Sequence, residues 1–293
     1  MSIRTFAGIL CMLIGTSLPM ASLGADVKNI DEIAIFPYLS PQKLVQLYQP
    51  LAQNLGVILD HPVRVVSAPD YVSFMSRIAN QEYLLVVTAS HMARMAQLDS
   101  NYISILRPIT DLEAVAVVPR ASPLRNLSEL RGATVGVPSR IALITQIAVA
   151  LLRDAGLEPG QDVTLVYHPT HSSAVMEVVN GLADAAVVSS RAMNQIGEKL
   201  GDKVRVLSDS SKLNGTVPGQ APPIIYQVSS ELDNPARDEL AKMISNFANH
   251  TDEGRAFINQ FGYQGLRPLT LGELEAMDPF LPALRVQLRQ EGK

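Results

Sequence analysis

LRGATVGVPSRIALITQIAVALLRDAGL, residues 130–157, is the stretch on which the fold turns. Ala133 to Val137 is a short apolar run closed off by Gly132 and Pro138, the pattern of a strand covered on both faces in a parallel sheet. Leu143, Ile147 and Leu151, with Ile144, Ala148 and Leu152, then recur at helical spacing until Gly156 supplies a stop. Ser139 and Arg140 fall between the two, at the expected helix N-terminus. Unpaired backbone N–H groups and the positive end of the helix dipole favour an anion there when the loop opens onto a cleft.

The same strand, loop and helix recur on both sides of this stretch. Upstream, strands are expected at Ile33 to Phe36, Val63 to Ser67, Tyr83 to Val87, Tyr102 to Leu106 and Glu113 to Val118. Ser40-Pro41 and Asp70 start the first two helices, serine and aspartate as caps and proline at the first helical position. Downstream, Val163 to Tyr167, Asp184 to Val188 and Val204 to Leu207 continue the second set, with helices from about Ser173 and Arg191 between them. Such alternation implies right-handed crossovers and a mostly parallel sheet, flanked by helices, in each of two lobes.

Pro119-Arg120-Ala121-Ser122-Pro123 separates the sets, and a Gly- and Pro-rich stretch over 213–223 ends the second. These are the expected hinges. Ile224 to Val228 adds a strand, and helices near 236–249 and 252–260 follow, packing back on the first half. The division is therefore lobe 1 over 26–118, completed by 223–293, and lobe 2 over 119–222. Two crossings between α/β lobes permit hinge closure around a ligand.

In open α/β sheets ligands bind beyond the carboxyl ends of the strands, where loops lead into helix N-termini. The first lobe offers Tyr38-Leu39-Ser40, Asp70-Tyr71 and Thr88-Ala89-Ser90-His91. Its counterpart offers Ser139-Arg140, Thr170-His171-Ser172-Ser173 and Ser189-Ser190-Arg191. Facing one another, these would converge on a gap suited to a small oxyanion. Each has an ordinary structural role beside this one: hydroxyls and aspartates at helix starts are usually caps, and a tyrosine past a strand end can simply close a core. Only their joint placement argues for a site.

Composition sets the address. The 293 residues are 47% hydrophobic, enough for two cores. Arg4, the apolar run Phe6 to Leu18, Pro19 and small residues to Ala25 read as a secretory signal peptide over 1–25, with cleavage after Gly24 or Ala25. Cys11, the only cysteine, lies inside it, so disulfides and thiol chemistry are not expected of the exported protein. A periplasmic location fits. Without Arg4, 23 of the 24 basic residues face 28 acidic ones with no long like-charged block, which gives no footing for nucleic acid.

At the residues of the loops the chain resembles the periplasmic phosphonate- and phosphite-binding proteins of ABC transporters, the PhnD-like branch of the type II substrate-binding proteins. The resemblance spans the chain after residue 25. It rests on YQPLAQNLG at 48–56, the Asp70-Tyr71 pair, LSELRGATVG at 127–136, and His171 with VVNGLAD at 178–184. It implies a two-lobed Venus-flytrap protein that delivers an oxyanion to a membrane permease, with no cofactor and no need of a second copy to bind. Carried over position by position, it makes Tyr38 and Tyr71 first-lobe contacts, puts the anion near Ser139 and Arg140, and adds His171. The neighbouring hydroxyls Ser40, Ser90 and Ser172 join the expected set. Two departures stand out: the usual Ser/Thr-rich anion loop reads Pro138-Ser-Arg-Ile-Ala142, and Ala89-Ser90 replaces the usual Gly-Pro after the third strand. An arginine restores donors by a bidentate, charge-assisted contact that suits carboxylate or sulfonate as well as phosphonate.

Two further functions fit the same pattern. A flytrap of this kind can report its ligand to a membrane sensor kinase instead of a permease, and an exported hydrolase could use a serine near His91, His168 or His171. Against the hydrolase, the chain has no G-x-S-x-G elbow, H-E-x-x-H, P-loop or G-x-G-x-x-G after a strand. Its five histidines lack cysteine partners or carboxylate spacing, so no metal site is expected.

Overall fold

Apolar runs of strand length alternate with capped amphipathic helices, and the computed structural model, which describes residues 26–213 and 220–291, folds them into two sheets flanked by helices. The expected signal peptide lies outside these residues. The first set comprises β1 (Glu32–Ile35), α1 (Pro41–Leu59), β2 (Arg64–Val66), α2 (Tyr71–Ala79), β3 (Leu85–Thr88), α3 (Ser90–Ser100), β4 (Ile103–Pro108) and β5 (Leu112–Pro119). Next come β6 (Thr134–Val137), α4 (Leu143–Asp154), β7 (Thr164–Tyr167), α5 (His171–Val179), β8 (Ala185–Ser189), α6 (Ser190–Leu200) and β9 (Val204–Asp209). The chain continues through β10 (Gln220–Ala221), β11 (Ile225–Val228), α7 (Asn234–His250), α8 (Asp252–Gln260) and β12 (Leu266–Arg267). A 3-10 segment, Glu273–Phe280, then leads into α9 (Leu281–Glu291).

Local chemistry explains the helix starts. Asp70 accepts from the Ser73 N–H at 2.7 Å to cap α2. Thr170 and Ser173 form a reciprocal capping box on α5. Asp233 caps α7 at 2.8 Å through the Ala236 N–H. The α4 start differs from expectation. Residues 139–142 make a turn closed by the Ala142 N–H on the Ser139 carbonyl at 2.9 Å, so Ala142 is the capping position. Ser139 and Arg140 stand outside the helix.

Each sheet has a parallel trio, β2-β1-β3 in the first and β7-β6-β8 in the second. Antiparallel strands complete both, so the mostly parallel character expected of each sheet is confined to the trios. In the first, β11 lies between β3 and β4, with β12 beyond β4. In the second, β5 lies between β8 on one side and β9 with β10 on the other.

This pairing corrects the expected division. Leu112–Pro119, read as the last strand of the first lobe, belongs to the second sheet. An apolar run announces a strand but not its partners, and here those are β8 and β9. The chain therefore crosses between sheets at 109–111 and 222–224. The first expected hinge, 119–123, lies wholly within the second half, whereas the second expectation, 213–223, reaches the observed crossing.

The C-terminal segment, expected to complete the first lobe, packs on both halves. Leu274, Met277 and Phe280 pack with Leu143, Ile144 and Ile147 of the second half, while Leu281 and Leu284 join the first-half core. Arg94 pairs with Asp278 at 2.6 Å, and Arg285 with Asp99 at 2.7 Å, fixing this strap along α3.

Candidate functional site

The two parallel trios direct their carboxyl ends, and the N-termini of the helices that follow, towards a common gap. A cavity of about 610 Å³ lies there. Phe36 and Tyr38, just past β1, and Lys43 on α1 line it with Tyr71 at the start of α2 and Ala89, His91 and Met92 around the start of α3. Opposite them stand Pro138, Ser139, Ile141 to Ile144, Thr170, His171, Ser189 and Arg191. Both crossings reach the wall, at Leu112 beside one and at Pro223 and Ile224 in the other. The starts of α4, α5 and α6 bring backbone N–H groups to the second-half wall, of which those of Ser173 and Ala192 are taken by the Thr170 and Ser189 hydroxyls.

Side-chain charge has one sign here. Lys43 and Arg191 are the cations among the described lining residues, and no aspartate or glutamate is among them. His171 contributes a neutral donor. Its Nδ1 accepts from the Ser189 N–H at 3.3 Å, and burial pulls its pKa down to about 4, so the ring carries its one proton on Nε2 at neutral pH. His91 is likewise lowered to about 4 by burial. It crosses the gap, donating from Nε2 to the Ile141 carbonyl at 2.9 Å.

The other wall is aromatic. Tyr38 stacks on Phe36 with centroids 4.5 Å apart and an interplanar angle of 23°, and Tyr71 lies 6.4 Å from the same ring. Burial raises the Tyr38 hydroxyl to about 12, so it remains a protonated, neutral group. Phe261 and Tyr263, past the end of α8, extend this surface.

Of the expected residues, Tyr38, Tyr71, Ser139 and His171 meet at the cavity. Arg140 does not: it is exposed, with its guanidinium 3.9 Å over the Tyr167 ring, which draws it away from the gap. Ser90 is fully buried and donates to the Met277 sulfur at 3.2 Å, serving the C-terminal strap. Ser40, at the N-cap position of α1, and Ser172, on α5, are exposed and off the lining.

Sequence reasoning passed over several lining groups. Arg191 and Ser189 stood in a loop already singled out, but nothing in the sequence told which of two arginines would turn inward. Gln260, Phe261 and Tyr263 were missed altogether because they end a helix instead of a strand. The one available signal was a glycine between two aromatics at a helix terminus. Among the described residues there is no group of three or more His, Cys, Asp or Glu side chains that could hold a metal ion, nor any helix long and apolar enough to cross a membrane.

Comparison with known proteins bears on this geometry. Residues 33–273 match the family described as ABC transporter, phosphonate, periplasmic substrate-binding protein. PhnD1 from Prochlorococcus marinus (MIT 9301), solved in complex with methylphosphonate, is similar with a TM-score of 0.73 and 14% identity, covering 89% of this chain and 98% of its own. A binding protein component of an ABC phosphonate transporter from Pseudomonas aeruginosa gives 0.65 and 11%, covering 89% and 98%. The alkanesulfonate-binding protein SsuA from Xanthomonas axonopodis pv. citri, bound to MOPS, gives 0.56 and 15%, covering 87% and 92%. All three share the two-lobed fold of the type II periplasmic binding proteins.

Proposed function

Because the chain belongs to the family of phosphonate ABC-transporter periplasmic substrate-binding proteins, we propose that its two lobes close on one small organic oxyanion and present it to a membrane permease. The sign of the cavity wall carries this reading: two cations, a neutral histidine donor and helix N-termini, with no carboxylate among the described lining residues. Such a wall stabilises an anion without moving a proton.

The ligand's other end meets hydrocarbon. Phe36, Tyr38, Leu112 and Ile141 give the cavity an apolar face that phosphate or phosphite would leave uncovered. Ligand cavities of roughly 300–1,000 Å³ enclose molecules of drug-like size, and about 610 Å³ exceeds what an inorganic anion fills. A phosphonate with an alkyl or aryl substituent satisfies both faces.

In this reading Tyr38, Tyr71, Ser139 and His171, together with Lys43, Thr170, Ser189 and Arg191, bind the ligand, and no covalent chemistry takes place. The crossings at 109–111 and 222–224 act as hinges. Residues 1–25 direct export and are removed, and one copy suffices for capture.

Thermal melting against phosphate, phosphite, methylphosphonate, longer alkyl- and arylphosphonates, methanesulfonate and small carboxylates tests the reading. Ligand at a hundred times its Kd stabilises by about 2.7 kcal/mol. Organic phosphonates are expected to raise the melting temperature most. A response confined to amines or other cations, or none to any oxyanion, overturns the reading.

A further inference from the structure

Arg191 stands at the second position of α6, yet its guanidinium leaves its own half of the molecule. Its Nη1 donates to the Phe261 carbonyl, and its Cζ lies 4.4 Å from the centroid of the Tyr263 ring. Phe261 is the C-cap of α8, where carbonyls lack intrahelical partners and the helix dipole presents its negative end. Between the two aromatics, Gly262 holds a left-handed φ of 67°, and a Cβ there would sit 3.2 Å from Arg191 Nε. One turn thus offers a guanidinium three complementary features: an acceptor, an aromatic face and a residue with no side chain to obstruct it. Arg191, Phe261 and Tyr263 all line the ligand cavity.

We infer that Arg191 is the positioning residue that couples ligand capture to lobe closure, its guanidinium shared between the α8 C-terminal turn of one half and the bound oxyanion. The Phe261 carbonyl takes one of its donors and the Tyr263 ring covers one face of its plane, and the remaining donors serve the ligand. The turn draws the halves together, and an anion beside the same fork strengthens the hold. The ligand arm of this inference rests on the function proposed above, whereas the contact between the halves does not.

Small-angle X-ray scattering of the ligand-free protein separates the two. Arg191→Met keeps the bulk and removes the charge, and Arg191→Lys keeps the charge but loses the planar fork. Both are expected to increase the radius of gyration of the ligand-free protein, the methionine variant more. With methylphosphonate as probe, stopped-flow tyrosine fluorescence should show release from Arg191→Met accelerated about tenfold, with the association rate little changed. Scattering profiles of wild type and Arg191→Met that superimpose without ligand overturn the inference. Weaker binding with unchanged ligand-free scattering makes Arg191 an ordinary ligand contact and overturns it equally. If methylphosphonate does not bind at all, scattering still decides on the contact between the halves, and the failure falls on the ligand reading alone.

Discussion

Replacing His171 with alanine removes one donor from the cavity wall without altering any capped helix end, because Thr170 and Ser173 cap α5 between themselves. The Ser189 N–H fixes the imidazole tautomer, leaving Nε2–H as the group available to an anion. A hydrogen bond to a charged partner contributes about 1.5–3 kcal/mol. At about 1.4 kcal/mol per factor of ten, ligand Kd should rise by about ten- to a hundredfold. Folding should suffer little, since the freed Ser189 N–H lies at the cavity wall, where water can replace the lost acceptor. Isothermal titration with the best phosphonate from the melting panel, alongside ligand-free melting curves, measures both quantities. A well-folded His171→Ala protein that binds within about threefold of wild type would refute the assignment of His171 as a ligand donor.

Other perturbations have definite expected outcomes. Arg140→Ala should leave ligand Kd unchanged, as its guanidinium rests on Tyr167 away from the cavity; a loss comparable to that of His171→Ala in the same titration would return Arg140 to the site. His91 is fully buried with its pKa lowered to about 4, so the unfolded chain binds the extra proton first. Through this group stability should therefore fall by about 3 kcal/mol as pH drops from about 6.5 towards 4; His171, also lowered to about 4, adds to the fall over the same window, so His91→Gln should remove about half of that slope from a urea-melt pH profile. Burial alone would raise Glu273, but Arg267, the Thr270 N–H and Arg107 hold it at about 2. Glu273→Gln strips the buried Arg107 of one of its two carboxylate partners, Asp111 being the other, and should cost about 3 kcal/mol in denaturant unfolding at neutral pH.

Period and punctuation made much of the fold legible. Strand runs closed off by Pro138 or ending at Tyr167, and helix starts at Ser40-Pro41 and Asp70, fall where the sequence puts them, since each is fixed by contacts within a few residues. What eluded it depends on distant partners. Leu112–Pro119 reads as a strand in either sheet, and only pairing with β8 and β9 assigns it. The same limit applies to the site. Backbone pattern brings Tyr38, Tyr71, Ser139 and His171 to the strand ends, but the aim of a long side chain is set by what it finds there. Arg140 finds Tyr167, and Arg191 finds a helix terminus 70 residues further along the chain. Ser90 heads a helix as expected, yet turns towards Met277 in a segment that gave no strand-end signal.

The first sheet cannot close in order of synthesis. Between β3 and β4 lies β11, so those two strands have no bridge until residue 228 has emerged, long after both were made. Nascent chain covering the first hundred residues carries apolar strands with an unfilled slot, and contacts of such sequence separation form slowly. A polypeptide that must reach another compartment before folding gains time from this order. Delay costs it exposed strand edges, which can pair wrongly before the slot is filled.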